Sequence, residues 1–140
     1  MRLQLALNVT DLDEAVDFYS RMFDAKPARE RPGYANFAIE NPPLKLVLFE
    51  AAEGGTINHL GVETETADEV VAAESRLAAS GMDTTGIDDT ECCYAAKTET
   101  WVDAPDGLAW EFYVRTGDSE VLSNRSVGDG EAACCAPAPA

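Results

Sequence analysis

The sequence predicts an α+β fold of two βαβββ-type modules whose strands form a curved mixed sheet. Three observations carry this expectation: an internal duplication, helix-capping residues at matching places in both copies, and short alternating runs after each helix. Setting residues 4–16 beside 59–71 gives a constant offset of 55, which pairs Leu5 with Leu60, Asp13 with Asp68, Glu14 with Glu69 and Val16 with Val71. The register continues through Ser20 with Ser75 and Arg21 with Arg76. Chance seldom holds a register so long, so each copy begins as a strand and passes into a helix.

In the first copy Asp11 and Glu14 occupy the N-cap and third helical positions. There a side-chain oxygen satisfies a free backbone amide and negative charge suits the helix dipole. Leu12, Ala15, Val16, Tyr19, Met22 and Phe23 then recur at three-and-four spacing, an apolar stripe meant to lie on a sheet. Strands are expected over 35–40 and 44–50, separated by Asn41-Pro42-Pro43, a turn no central strand would tolerate. In the second copy Thr66 and Glu69 repeat the cap. Ala67, Val70, Val71, Leu77 and Ala78 repeat the stripe more weakly, and Gly81 ends the helix. Strands follow over 93–97, 98–103 and 108–115, with Ala104-Pro105-Asp106-Gly107 as a turn.

At 140 residues and 46% hydrophobic composition, the chain is long enough to bury a core without disulfide staples. One domain is expected over 1–115, with modules of about 1–56 and 57–115. From Thr116 periodicity is lost, and residues 116–140, which end in alternating Ala and Pro, are expected as a flexible tail carrying Cys134 and Cys135.

Net charge is −16, from 26 acidic against 10 basic residues. Phosphate contacts need a basic face, so nucleic acid is excluded as a partner. The acids are spread along the whole chain, which reads either as solubility or as adaptation to a salt-rich cytoplasm. Nothing resembles a signal peptide or a membrane span, and a cytoplasmic location is expected. In that reducing compartment the four cysteines are expected as thiols, which favours metal binding or catalysis over a disulfide framework.

Cys92 and Cys93 are adjacent, as are Cys134 and Cys135. Adjacent cysteines rarely bridge, because the small ring distorts the peptide. Reduced, such a pair is a ready chelate for a large soft ion such as trivalent arsenic or cadmium; the alternative is two idle thiols. In a regular strand Cys92 and Cys93 would point to opposite faces, so joint chelation requires a loop or bulge in 88–93. For Cys134 and Cys135 a dispensable tail outweighs metalloid scavenging.

One histidine, His59, is too few for a zinc finger, and no cysteines fall at Cys-x-x-Cys spacing, so a closed zinc site is not expected. The duplication suggests an open site instead. Gln4 and His59 are equivalent positions on equivalent strands and could meet across a pseudo-twofold axis, while Glu111 stands in the last strand between Trp110 and Phe112. A lone histidine is more often structural, and an isolated strand glutamate more often solvated; the shared register shifts that balance. Donors of types O, N and O with open positions would suit ferrous iron, by analogy with the facial triad of non-haem oxygenases.

The duplicated module with Gln4, His59 and Glu111 resembles the vicinal oxygen chelate superfamily, which includes glyoxalase, bleomycin-resistance proteins and extradiol dioxygenases. Residues 31–39, 43–48, Asn58-His59-Leu60-Gly61-Val62 and Cys92-Cys93-Tyr94 resemble, within it, the arsenic-inducible carbon–arsenic lyases and the related cadmium-induced proteins. The resemblance spans residues 3 to 115. It implies a glyoxalase-like fold and an Fe(II)-dependent dioxygenase that cleaves the carbon–arsenic bond of trivalent organoarsenicals and releases arsenite. Gln4, His59 and Glu111 would hold Fe(II) or another divalent metal, with O2 as co-substrate, and Cys92 and Cys93 would hold the arsenic. Glutamine in place of the first histidine departs from the extradiol dioxygenases and agrees with the lyases. Two other functions stand beside this one: cadmium or arsenite sequestration without catalysis, and a small-molecule binding module of the bleomycin-resistance kind. The partner is then a small organoarsenical or a soft metal ion, with a homodimer allowed.

The dispersed acidity generates a first prediction. The melting temperature should rise as salt increases from dilute buffer to molar levels, because screening relieves repulsion among carboxylates. A flat or falling curve would leave only a soluble acidic protein.

Overall fold

The structure is a computed structural model that describes residues 1–92, 95–118, 126–127 and 132–133. Its elements in chain order are β1 (Arg2–Val9), α1 (Leu12–Phe23), β2 (Arg29–Arg31), β3 (Tyr34–Ile39), β4 (Leu44–Glu50), β5 (Thr56–Glu63), α2 (Ala67–Ala79), β6 (Asp88–Cys92), β7 (Ala95–Asp103), β8 (Ala109–Asp118), β9 (Ser126–Val127) and β10 (Ala132–Ala133). From β1 to β4 and from β5 to β8 the order is strand, helix and three strands, which is the predicted module twice. Packing divides the chain into two compact units, Arg2–Leu60 and Met1 with the chain from Gly61 onward, so the boundary falls inside β5.

In the first unit the strands run in the order β2-β3-β4-β1, followed by the opening residues of β5. β1 and β4 are parallel, with Gln4 opposite Lys45, Ala6 opposite Val47 and Asn8 opposite Phe49. β3 is antiparallel to β4, and β2 to β3. Alternation along each strand sorts the side chains into two faces. Leu5, Leu7, Val9, Phe37, Ile39, Leu44, Leu46 and Leu48 make one face, against which α1 packs Leu12, Ala15, Val16, Tyr19 and Phe23. The other face carries Gln4, Asn8, Asn36 and Lys45 among Tyr34, Val47 and Phe49, and all of these are buried. Met22, expected on the packed stripe, is 61% exposed. It lies at the stripe's edge, and Phe23 next to it takes the inward position. The N-cap is as expected: the Glu14 amide donates to the Asp11 carboxylate at 3.0 Å.

In the second unit the order is β5-β8-β7-β6, with β6/β7 and β7/β8 antiparallel. α2 is capped by Thr66 and Glu69 in a reciprocal capping box, and Gly81 follows its end at φ +83°, a conformation glycine adopts without strain. Only Val70 and Leu77 of this helix are buried. Ala67, Val71 and Ala78, expected on the stripe, are exposed, because the inward line runs through positions 70, 73, 74 and 77. Three strand expectations need correction. β7 is one uninterrupted strand where separate strands over 93–97 and 98–103 were expected. The irregularity there is a register shift against β8 between Ala96 and Lys97, a bulge that leaves the strand continuous. β6 and β2 were not anticipated, since Asp88-Asp89-Thr90-Glu91 and Arg29-Glu30-Arg31 are polar throughout and show no alternation. The turn at 104–107 forms as predicted, with the Gly107 amide donating to Ala104 O at 2.9 Å.

β8 runs three residues past Arg115, and Ser126–Val127 pairs antiparallel with Ala132–Ala133. Cys93, Cys134, Cys135 and most of the expected tail lie outside the described residues. No helix among the described residues is long and apolar enough to cross a membrane.

Caps and core should be separable by measurement. Thr66→Ala should cost about 1 kcal/mol in denaturant unfolding, whereas Phe37→Ala, which empties a fully buried position, should cost about 3–5 kcal/mol.

Candidate functional site

The duplication brings Gln4 and His59 together. Gln4 Nε2 lies 3.0 Å from His59 Nε2, and both side chains are buried. An amide nitrogen can only donate, so His59 Nε2 accepts and carries no proton. The other ring nitrogen agrees: Nδ1 lies 2.8 Å from Asn58 Oδ1, which can only accept, so the proton sits on Nδ1. Asn58 Nδ2 in turn donates to Asn8 Oδ1 at 3.0 Å, and Asn8 Nδ2 donates to Thr56 Oγ1 at 2.9 Å. The Phe49 ring stands 6.2 Å from the imidazole, and Tyr34 packs edge-on against Phe49 at 5.5 Å. The imidazole thus stands in a partly apolar wall, with its Nε2 edge facing the Gln4 amide. Rotating that amide presents Oε1 in place of Nε2, which gives an oxygen and a nitrogen donor side by side.

Glu111 belongs to the second unit, on β8, and is fully buried. Lys97 Nζ lies 3.3 Å from Glu111 Oε2 and 4.5 Å from the centre of the Tyr113 ring, whose hydroxyl donates to Glu63 at 2.8 Å. Glu99 is fully buried on β7, directly opposite Tyr113, and neither of its oxygens makes a well-formed hydrogen bond. Burial, reinforced by the negative charge of Glu111 and opposed by Lys97, pushes the Glu99 carboxyl up to about 7 from its ordinary 4.5. Lys97 and Glu99 were not singled out from the sequence. With Trp101 they recur at every second position of β7, as Gln4, Ala6 and Asn8 do on β1, and period two was the available signal.

Cys92 is the last residue of β6 and pairs with Ala95, whereas Glu111 pairs with Trp101. These levels are six positions apart along β7, roughly 20 Å at about 3.3 Å per residue. The structure therefore does not bring Cys92 beside Glu111. Asp88–Cys92 is a strand in regular register with β7, without the loop or bulge that joint chelation was expected to require, and Cys93 lies outside the described residues. Among the described residues no three His, Cys, Asp or Glu side chains are grouped to hold a metal.

Residues 3–112 match the family described as the Glyoxalase/Bleomycin resistance protein/Dioxygenase superfamily. The chain belongs to this superfamily. It is 49% identical to the cadmium-induced protein CadI of Mycobacterium bovis over 96% of this chain and 91% of the relative. It is 48% identical to a trivalent organoarsenical cleaving enzyme of Thermomonospora curvata over 97% of this chain and 89% of the relative. Among solved structures, the Mn(II)-bound glyoxalase of Novosphingobium aromaticivorans superposes with a TM-score of 0.62 at 19% identity, covering 86% of this chain and 41% of that one, a likeness of fold alone. The vicinal oxygen chelate fold that the family resemblance implied is thus the fold of this superfamily member.

The buried acid gives a pH prediction. Glu99 keeps its proton in the fold after the unfolded chain has released it, so its contribution is intact below pH 4.5 and declines as pH rises to about 7. Glu99→Gln should flatten the pH dependence of unfolding free energy across that window and raise stability at pH 8 by on the order of 3 kcal/mol. An unchanged slope would place the proton elsewhere.

Proposed function

We propose that this superfamily member cleaves the carbon–arsenic bond of trivalent organoarsenicals and releases arsenite. Gln4, His59 and Glu111 hold ferrous iron or another divalent metal in this reading, and dioxygen is the co-substrate. The observation that carries it is the meeting of Gln4 with the unprotonated Nε2 of His59 at 3.0 Å, in a chain with a 48% identical relative named for organoarsenical cleavage. The donor chemistry fits: a neutral amide oxygen, a neutral imidazole and one carboxylate give a singly negative set that leaves positions open for ligands. A ferrous ion would supply the redox chemistry that activates dioxygen.

The remaining work falls to the chain's own groups. Lys97 holds the Glu111 carboxylate against β7 and offsets its charge until a cation takes that role. Phe49 and Tyr34 exclude water from one side of the imidazole. Cys92 and Cys93 capture the trivalent arsenic as thiolates, which are soft donors matched to it. Holding the arsenical by two bonds limits its motion, and such orientation contributes several kcal/mol to a following step, up to about 10 in well-aligned cases.

The separation of Cys92 from Glu111 favours a second reading. Thiolates alone suffice to sequester cadmium or arsenite, and a 49% identical relative is named as cadmium-induced. Oxygen uptake divides the two. In the first reading, Fe(II)-loaded protein with a trivalent organoarsenical consumes oxygen and forms arsenite. His59→Ala and Glu111→Ala should then lose metal and turnover, while Cys92→Ser or Cys93→Ser should keep iron and lose cleavage. Tight binding without oxygen uptake in the native protein would establish sequestration instead.

A further inference from the structure

His59 is held from both sides by side chains, and those on its Nδ1 side take no part in the metal reading. On one side a single file of hydrogen bonds runs from Thr56 Oγ1 through Asn8 and Asn58 to His59 Nδ1, with successive distances of 2.9, 3.0 and 2.8 Å. Each amide in this file donates toward Thr56 and accepts from the His59 side, so all its members share one polarity. The polarity ends on the imidazole: an Asn58 oxygen facing Nδ1 demands a proton there and leaves the lone pair on Nε2. Gln4, on the opposite side of the ring, places its amide nitrogen 3.0 Å from Nε2, an arrangement that matches this tautomer.

We propose that Asn58, oriented by Asn8 and Thr56, is the positioning residue that fixes His59 in the Nδ1–H tautomer and so keeps Nε2 as the metal donor. The inference rests on the metal reading only for that last clause. Reversing the file would turn each amide over, put the proton on Nε2 and present an N–H where a cation has to bind. Asn8 is almost fully buried and its Oδ1 accepts from Asn58 Nδ2, so turning Asn58 over by itself would set two amide oxygens face to face. Orienting partners of this kind typically change metal affinity about 10- to 100-fold when removed. Asn58 also precedes His59 directly, so the backbone that carries the donor carries its orienting group.

His59 is the only histidine, so the imidazole 15N–1H correlations of uniformly labelled protein report its tautomer without assignment. In metal-free protein at alkaline pH the native chain should show the Nδ1–H form, and Asn58→Leu should shift the population toward Nε2–H. Asn58→Asp, whose carboxylate also accepts from Nδ1, should retain the native pattern. Titration with Mn(II) should show affinity lower by about 10- to 100-fold in Asn58→Leu and within a few-fold of native in Asn58→Asp. Thr56→Val, at an exposed position that frees the far end of the file, should give a smaller shift of the same sign. An Nε2–H native tautomer, an unshifted Asn58→Leu spectrum, or a shifted spectrum with unchanged Mn(II) affinity would each overturn the proposal. Should His59→Ala bind Mn(II) as well as the native chain, the metal reading fails while the tautomer assignment still stands or falls on the spectra.

Discussion

The constraint on which the structure depends is that a polar group taken out of water must find a partner inside. Each compact unit buries polar side chains on a strand face: Gln4, Asn8, Asn36 and Lys45 in one, and Lys97, Glu99 and Glu111 in the other. An unpaired amide or hydroxyl in such a place costs about 1–3 kcal/mol, and an unpaired charge more. Part of that cost is met by the file of amides around His59 and by the Lys97–Glu111 pair. Glu99 is the charged-type side chain for which neither oxygen is so met, and Asn36 Oδ1 and Thr100 Oγ1 share that condition. Glu99 stays buried without a well-formed hydrogen bond, and its raised proton affinity is the physical response to that isolation.

The same constraint explains the use of lysine. Two of the three, Lys45 and Lys97, are buried, which leaves Lys26 as the exposed one. Buried lysine requires compensation, and Lys97 finds it in Glu111 and the face of Tyr113. Among the described residues the two buried lysines are matched by two buried glutamates, Glu99 and Glu111, so burial leaves the exterior as acidic as composition indicates. The helix starts fit that distribution, since Asp13, Glu14, Asp68 and Glu69 place carboxylates where the backbone dipole favours them.

The repeated βαβββ order was legible because it is written twice: the offset that pairs Glu14 with Glu69 also pairs the caps Asp11 and Thr66 and the donors Gln4 and His59. The short polar strands β2 and β6 were not legible, because their pairing is decided by a neighbouring strand, and local sequence carries no sign of it. For a related reason Glu111 stood out while Lys97 and Glu99 did not. A glutamate between Trp110 and Phe112 breaks an apolar run, but a lysine and a glutamate two apart read as a solvated strand face. Sequence alternation gives the side of a strand and leaves open whether that side meets water. Asn58 was hidden differently. It formed part of a family-like stretch, and only the distances to Asn8 and His59 show what its amide does.

Soft-ion capture and bond cleavage make unequal demands on this arrangement. Capture needs two thiolates and nothing else of the sheet. Cleavage needs the carbon on arsenic to reach a metal site, yet Cys92 pairs six positions along β7 from the level of Glu111, a span of roughly 20 Å that no small trivalent arsenical bridges by itself. A register irregularity between β7 and β8 lies near the Ala95 end of β7. Ala96 pairs with Gly117 and Lys97 with Arg115, which leaves Thr116 as the extra residue of a bulge. A bulge loosens the ladder and increases local twist, so the Ala95 end is held to β8 less regularly than the segment carrying Lys97, Glu99 and Trp101. Lys97, Glu99 and Trp101 thus stand where β7 keeps an unbroken register with β8, from Lys97 opposite Arg115 to Asp103 opposite Ala109.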